Sequence, residues 1–199
     1  MNRTGTVEWR RALLALLVGV LAVAVGLGGR PAFADGGDGD PGQKVRLSGA
    51  NPFAAQGGER ALGFLVNSAS GKCLDHSDNG KGLYAYVFAC NLYANNQLWK
   101  WECVNSACDV YRVRNLTSNK CLDQSDWGRG LYAYVYDCNG ATNQNWYLYS
   151  YPAIGSISIV NQASDKCLDH SDAGKGLYAY VFACNHSAQQ LWKEEPLMS

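Results

Sequence analysis

The chain carries little charge: 17 Lys and Arg balance 17 Asp and Glu in 199 residues, and no basic cluster interleaves with its aromatics. That excludes the electrostatic footprint of a nucleic-acid binder and a basic amphipathic helix for a membrane surface. No Cys-x-x-Cys occurs, and the three histidines, His76, His170 and His186, share no paired metal-ligand spacing, so a zinc site is not supported. Gly-x-Ser-x-Gly is missing too, and no histidine has a complementary nucleophile arrangement. Asp75-His76-Ser77-Asp78-Asn79-Gly80 begins like a calcium loop, but Tyr86 stands at the twelfth position, where a Glu is needed. No metal, no cofactor and no enzymatic activity are expected. Beyond the N-terminal segment no helical period runs uninterrupted. Short apolar stretches alternate instead with Gly, Ser, Asn and Asp turns, the pattern of an all-β chain.

The N-terminus reads as a segment to be removed. Arg3, Arg10 and Arg11 precede an apolar run from Ala12 to about Leu27, and Ala32-Phe33-Ala34 supplies a small-residue site. These are the three regions of a secretory signal, with cleavage expected after Ala34. A retained membrane anchor is the alternative, the run being near the lower limit of about 17 residues for a spanning helix. Removing residues 1–34 takes away Arg3, Arg10, Arg11, Arg30 and Glu8, which leaves 13 basic against 16 acidic side chains. Residues 35–58 are Gly-, Asp- and Pro-rich and are expected to form a flexible linker.

Self-similarity dominates what remains. Residues 71–90 read GKCLDHSDNGKGLYAYVFAC, residues 119–138 NKCLDQSDWGRGLYAYVYDC, and residues 165–184 DKCLDHSDAGKGLYAYVFAC, offset by 48 and then 46 residues. Each copy follows an alternating segment such as Phe64-Leu65-Val66-Asn67 and precedes Gln97-Leu98-Trp99, Gln144-Asn145-Trp146 or Gln190-Leu191-Trp192. Four strands fit in each unit, in the first Phe64 to Asn67, one around Cys73-Leu74, Leu83 to Ala89, and Leu98 to Trp101. Twelve strands in three lobes, at about 61–104, 108–150 and 155–196, give a β-trefoil spanning 59–196. A propeller also uses four strands per blade, but three blades are too few to close a ring.

The eight cysteines all lie in the exported part, and by number alone they allow 105 connectivities. The repeat selects one. Cys73–Cys90, Cys121–Cys138 and Cys167–Cys184 share a spacing, which leaves Cys103–Cys108.

Period-two alternation in Leu83-Tyr84-Ala85-Tyr86-Val87-Phe88 sends Leu83, Ala85 and Val87 one way and Tyr84, Tyr86 and Phe88 the other. With the aliphatic set inward, each lobe exposes an aromatic strip beside Asp75 or its counterpart. A ring for the C–H face of a sugar and a carboxylate for its hydroxyls suit carbohydrate. Alternatively, the rings plug the gaps between lobes and the aspartates tie only their own turns. Trp99, Trp146 and Trp192 are expected in the core, while Trp127, without a counterpart in the other repeats, is open to either role. Threefold repetition of Asp75 and Asp78 argues for binding rather than for a catalytic carboxylate pair, which belongs to one cleft.

Cys-Leu-Asp, the aromatic two residues before the second cysteine, and Gln-x-Trp together resemble the ricin-B-type β-trefoil lectins and the similar trefoil carbohydrate-binding modules of secreted bacterial glycosidases. The likeness covers about residues 60–195, three times over. It implies one shallow sugar pocket per lobe: an Asp for two hydroxyls, a stacking aromatic, an Asn, and a Gln that steadies the Asp. The first lobe then offers Asp75, Phe88, Asn96 and Gln97, the second Asp123, Tyr136, Asn143 and Gln144, and the third Asp169, Phe182, Gln189 and Gln190. Gln189 stands where Asn is expected, and Tyr86, Tyr134 and Tyr180 stand where relatives often carry a polar residue. The expected product is a secreted, monomeric carbohydrate-binding domain with polysaccharide or glycan as partner, and without contact to nucleic acid or, once cleaved, to membrane. A trefoil that has lost sugar binding and serves as a protein-interaction or structural module is the rival.

Overall fold

The computed structural model describes residues 44–48, 62–76, 84–124, 131–170 and 177–197. The expected signal segment, Asp78 and Trp127 lie outside these residues. Thirteen strands are described, and no helix among the described residues is long and apolar enough to cross a membrane.

Alternation along the outer strands of each repeat builds a closed barrel. The strands are β2 (Leu62–Asn67), β5 (Leu98–Cys103), β6 (Tyr111–Asn115), β9 (Asn145–Tyr151), β10 (Ser156–Asn161) and β13 (Trp192–Pro196). They pair in the cycle β2–β5–β6–β9–β10–β13, and β13 returns to β2 with Glu195 opposite Phe64. A ring of strands leaves no free edge of its own. Leu65, Val113 and Ile159 come from the three entry strands and Trp99, Trp146 and Trp192 from the three exit strands, and all are buried in one core.

The short middle strands close one end of that barrel. They form three hairpins, β3 (Cys73–Asp75) with β4 (Tyr86–Phe88), β7 (Cys121–Asp123) with β8 (Tyr134–Tyr136), and β11 (Lys166–Asp169) with β12 (Tyr180–Ala183). Leu74 opposite Val87, and its counterparts in the other lobes, face inward and are fully buried. The hairpins meet around the pseudo-threefold axis through a cycle of backbone bonds: Ala85 N–H donates to the Ala133 carbonyl, Ala133 to Ala179, and Ala179 to Ala85, each at 3.0 Å. Above that cycle the rings of Tyr84, Tyr132 and Tyr178 meet edge to face, with centroids 5.2–5.5 Å apart.

All four disulfides form as the repeat implies. Each of the three repeat bridges closes a loop of 17 residues, worth about 3 kcal/mol in the chain-entropy estimate. A lobe with so little interior of its own gains much from such a staple.

At the barrel end away from the hairpins the repeats diverge. Two residues after each repeat Trp stand Trp101, Leu148 and Glu194. Glu194 Oε1 accepts from Trp101 Nε1 at 3.0 Å, whereas Oε2 is buried with no hydrogen-bond partner among the described residues. Burial pushes the carboxyl up to about 8, against a smaller lowering by the Trp101 bond. Gly63 makes the room: a Cβ there would lie 2.9 Å from the Glu195 carbonyl oxygen and 3.1 Å from Glu194 Cγ.

One strand lies inside the segment 35–58 that its composition marks as a linker. β1 (Val45–Arg46) pairs with Ser150 and Tyr149 of β9. Within this Gly-, Asp- and Pro-rich stretch the alternation Lys44-Val45-Arg46-Leu47 is the local strand signal. Leu47 packs against the core, the Arg46 guanidinium lies 4.1 Å from the Tyr147 ring centre, and Arg46 pairs with Asp109 at 3.2 Å.

Candidate functional site

The Cys-Leu-Asp strand is fixed from beneath before any site chemistry enters. In each lobe the core tryptophan donates its indole N–H to the Leu carbonyl of that motif: Trp99 to Leu74 at 2.9 Å, Trp146 to Leu122 at 3.1 Å, and Trp192 to Leu168 at 3.0 Å. The next residue, the aspartate, is thereby held on the opposite face of its strand, sharing that face with Cys73 and, across the hairpin, with Tyr86 and Phe88 in the first lobe.

Each aspartate is gripped by the Gln of Gln-x-Trp. Gln97 Nε2 donates to Asp75 Oδ2 at 2.8 Å and to the Ala89 carbonyl at 3.0 Å, while Gln97 Oε1 accepts from Asn91 N–H at 2.8 Å. Gln144 and Gln190 repeat all three bonds around Asp123 and Asp169. The second oxygen distinguishes the lobes. Asn96 Nδ2 donates to Asp75 Oδ1 at 2.7 Å and Asn143 Nδ2 to Asp123 Oδ1 at 2.8 Å, but Asp169 Oδ1 is buried with no partner among the described residues.

The structure brings together every set expected from the sequence, but it ranks the members differently by access. Phe88, Tyr136 and Phe182 are 52%, 46% and 48% exposed, and Asn96, Asn143 and Gln189 are half-buried. Asp75, Asp123 and Asp169 are only 3%, 2% and 4% exposed, so the carboxylates that the resemblance offers to two sugar hydroxyls are enclosed. The exposed aromatic strip is corrected as well. Tyr86, Tyr134 and Tyr180 are buried directly across from the aspartates, and Tyr84, Tyr132 and Tyr178 form the axial cluster. The outer face of a hairpin strand meets the neighbouring lobe as well as solvent, as the bridge from Tyr84 to Tyr134 shows. A two-residue period separates faces but cannot tell which face a symmetry mate will cover.

Asn67, Asn115 and Asn161 went unassigned in the sequence, yet they place the sites. Asn115 Nδ2 donates to the Asn96 carbonyl, Asn161 to the Asn143 carbonyl and Asn67 to the Gln189 carbonyl, each at 2.8 Å. The same carbonyls accept from the backbone N–H groups of His76, Gln124 and His170 at 3.0 Å. Each amide-bearing residue is therefore clamped at its backbone by an adjacent lobe. Recurrence of Asn at the end of every entry strand was the signal available. His76 and His170 are buried, and so is Asn115.

A half-exposed ring flanked by a half-buried carboxamide over an anchored carboxylate can stack on an apolar ligand face and hydrogen-bond its rim. Among the described residues no three His, Cys, Asp or Glu side chains converge as metal ligands.

The family model of the ricin-type beta-trefoil lectin domain matches residues 61–192. No sequence among the curated proteins matches. Similar solved structures include a designed threefold-symmetric protein, ThreeFoil, at 24% identity and TM-score 0.57, covering 67% of this chain and 96% of that one. An exo-beta-1,3-galactanase from Clostridium thermocellum shares 23% identity at TM-score 0.59, over 68% of this chain and 30% of that one. A Polyporus squamosus lectin bound to an influenza-binding epitope shares 20% identity at TM-score 0.57, over 69% of this chain and 49% of that one. The chain thus spans about half of the lectin and under a third of the galactanase.

Proposed function

Because the chain belongs to the ricin-type β-trefoil lectin domain family, we propose that it binds carbohydrate, through up to three shallow sites built on Phe88 with Asn96, Tyr136 with Asn143, and Phe182 with Gln189. The observation that carries this reading is the exposed ring at the same place in every lobe, where burial would have been the cheaper fate of an aromatic side chain. Asp75 and Asp123 hold the amides of Asn96 and Asn143 in register, and the Gln of Gln-x-Trp anchors the aspartate in all three lobes. Sugar hydroxyls meet the amides, and the ring takes the C–H face. Each contact is weak, and a polysaccharide that engages more than one lobe gains avidity. The role is binding rather than catalysis. Four disulfides and the N-terminal segment support action outside the cell.

The test is a glycan and polysaccharide panel that includes β-galactans and xylans. Tyr136→Ala is expected to weaken binding to the bound member about threefold to tenfold at unchanged thermal midpoint. A folded protein that binds no member of the panel would favour a protein-interaction or structural module. One observation speaks for that second reading: Tyr86, Tyr134 and Tyr180 lie across from enclosed aspartates.

A further inference from the structure

One loop frames all three sites. It runs from the exposed ring to the amide pair, so both its ends belong to the site. Its anchors are also the same: the N–H of Asn91, Asn139 or Asn185 donates to the Gln side chain, and the Gln N–H returns to the carbonyl of Ala94, Ala141 or Ser187. Between these anchors the second and third lobes have a single residue, Gly140 and His186, with left-handed φ of 80° and 60°. One residue must turn the chain sharply, and that needs positive φ, which costs a residue with a Cβ.

The first lobe has two residues there, Leu92 and Tyr93, and neither has positive φ. Ala94 N–H donates to the Asn91 carbonyl at 2.9 Å, and Tyr93 N–H to Asn91 Oδ1 at 3.1 Å, so the enlarged turn is pinned at its base. Ordinary backbone geometry lets both residues carry large side chains. Leu92 is exposed, and Tyr93 is 95% exposed. Scattered apolar residues on a surface need no explanation, but Phe88, Leu92 and Tyr93 fall on one end and the apex of one site-bordering loop, where the first copy has one residue more between its second cysteine and the Gln of Gln-x-Trp than the other two.

We infer that Tyr93 is a second stacking platform, which lengthens the first lobe's site by one sugar unit. The first lobe then selects an oligosaccharide over a monosaccharide, while the second and third accept a single unit. Tyr suits the task, because a rigid amphipathic ring with two side-chain torsions loses little entropy on binding. The inference rests on the carbohydrate reading and assigns the substrate length of one of its sites.

Galacto- and xylo-oligosaccharides of one to four units, titrated calorimetrically, test it. Tyr136→Ala with Phe182→Ala silences the other two lobes by removing exposed rings, and a thermal midpoint confirms folding. In that background affinity is expected to rise from one unit to two or three. Tyr93→Ala should remove a threefold to tenfold share of the rise and leave the single-unit affinity unchanged; Tyr93→Trp should restore it. A rise that survives Tyr93→Ala overturns the inference alone. If the unaltered protein binds neither series nor any panel member, the carbohydrate reading falls, and the inference with it.

Discussion

In the first and second lobes the buried aspartate has both oxygens paired, by Asn96 and Gln97 or by Asn143 and Gln144, whereas in the third Gln190 pairs one and leaves Asp169 Oδ1 alone. The backbone does not cause this, since the carbonyl of Gln189 is clamped at the same distances as those of Asn96 and Asn143. The cause is one methylene. With its backbone fixed, the longer side chain of Gln189 does not put its amide where the Asn amide sits. The third lobe departs a second time at the other end of the barrel, where Glu194 stands in place of Trp101 and Leu148. Threefold backbone symmetry is therefore compatible with one lobe that keeps two uncompensated carboxyl oxygens.

The largest expected effect separates the lobes by pH. An unfolded Glu titrates near 4.5 and folded Glu194 near 8, so its stabilising contribution is complete below the unfolded value and is lost as pH rises through the folded one. Between pH 5 and 9 the native protein should lose about 1–3 kcal/mol, discounted for partial exposure, to a carboxylate with no basic partner among the described residues. Glu194→Gln keeps an acceptor for Trp101 and should flatten that slope in chemical denaturation; an equal slope in the variant would break this half of the comparison.

A smaller effect sharpens the other half. Gln189→Asn should return a donor to Asp169 Oδ1 and raise stability by about 1 kcal/mol, and Asn143→Gln should lower it by a similar amount. Urea midpoints decide between this and a third lobe that relaxes without cost. Smallest of all, exchanging Phe182→Tyr and Tyr136→Phe should leave stability within about 0.5 kcal/mol, since both rings are near half exposed.

The fold was legible in the sequence because its determinants are local and repeated. Cysteine spacing selected the disulfides, and Trp99, Trp146 and Trp192 marked a core position three times over. Much less of the site could be read. Asp75 and Phe88 were identifiable as neighbours, but their access depends on how lobes meet around the axis, and a single repeat carries no mark of that. Tyr86 and Tyr84 alternate with Ala85 in the sequence and are covered by other lobes in the structure. Asn67 belongs to the first repeat by sequence and serves the third by contact. Glu194 reads as one more surface charge near a chain end until the closing pair of strands places it beside Trp101.

The cycle of backbone bonds through Ala85, Ala133 and Ala179 bears on how such a molecule comes into being. A lone repeat would present one alanine N–H without an acceptor and one carbonyl without a donor, and two repeats joined would still leave one of each unsatisfied. The last bond, from Ala179 to Ala85, bridges the full span of the repeats, so closure waits on a contact remote in sequence, where loop entropy must be overcome before any reward. Three copies of one unit are for this reason not three independent folding units. They reach the native state together.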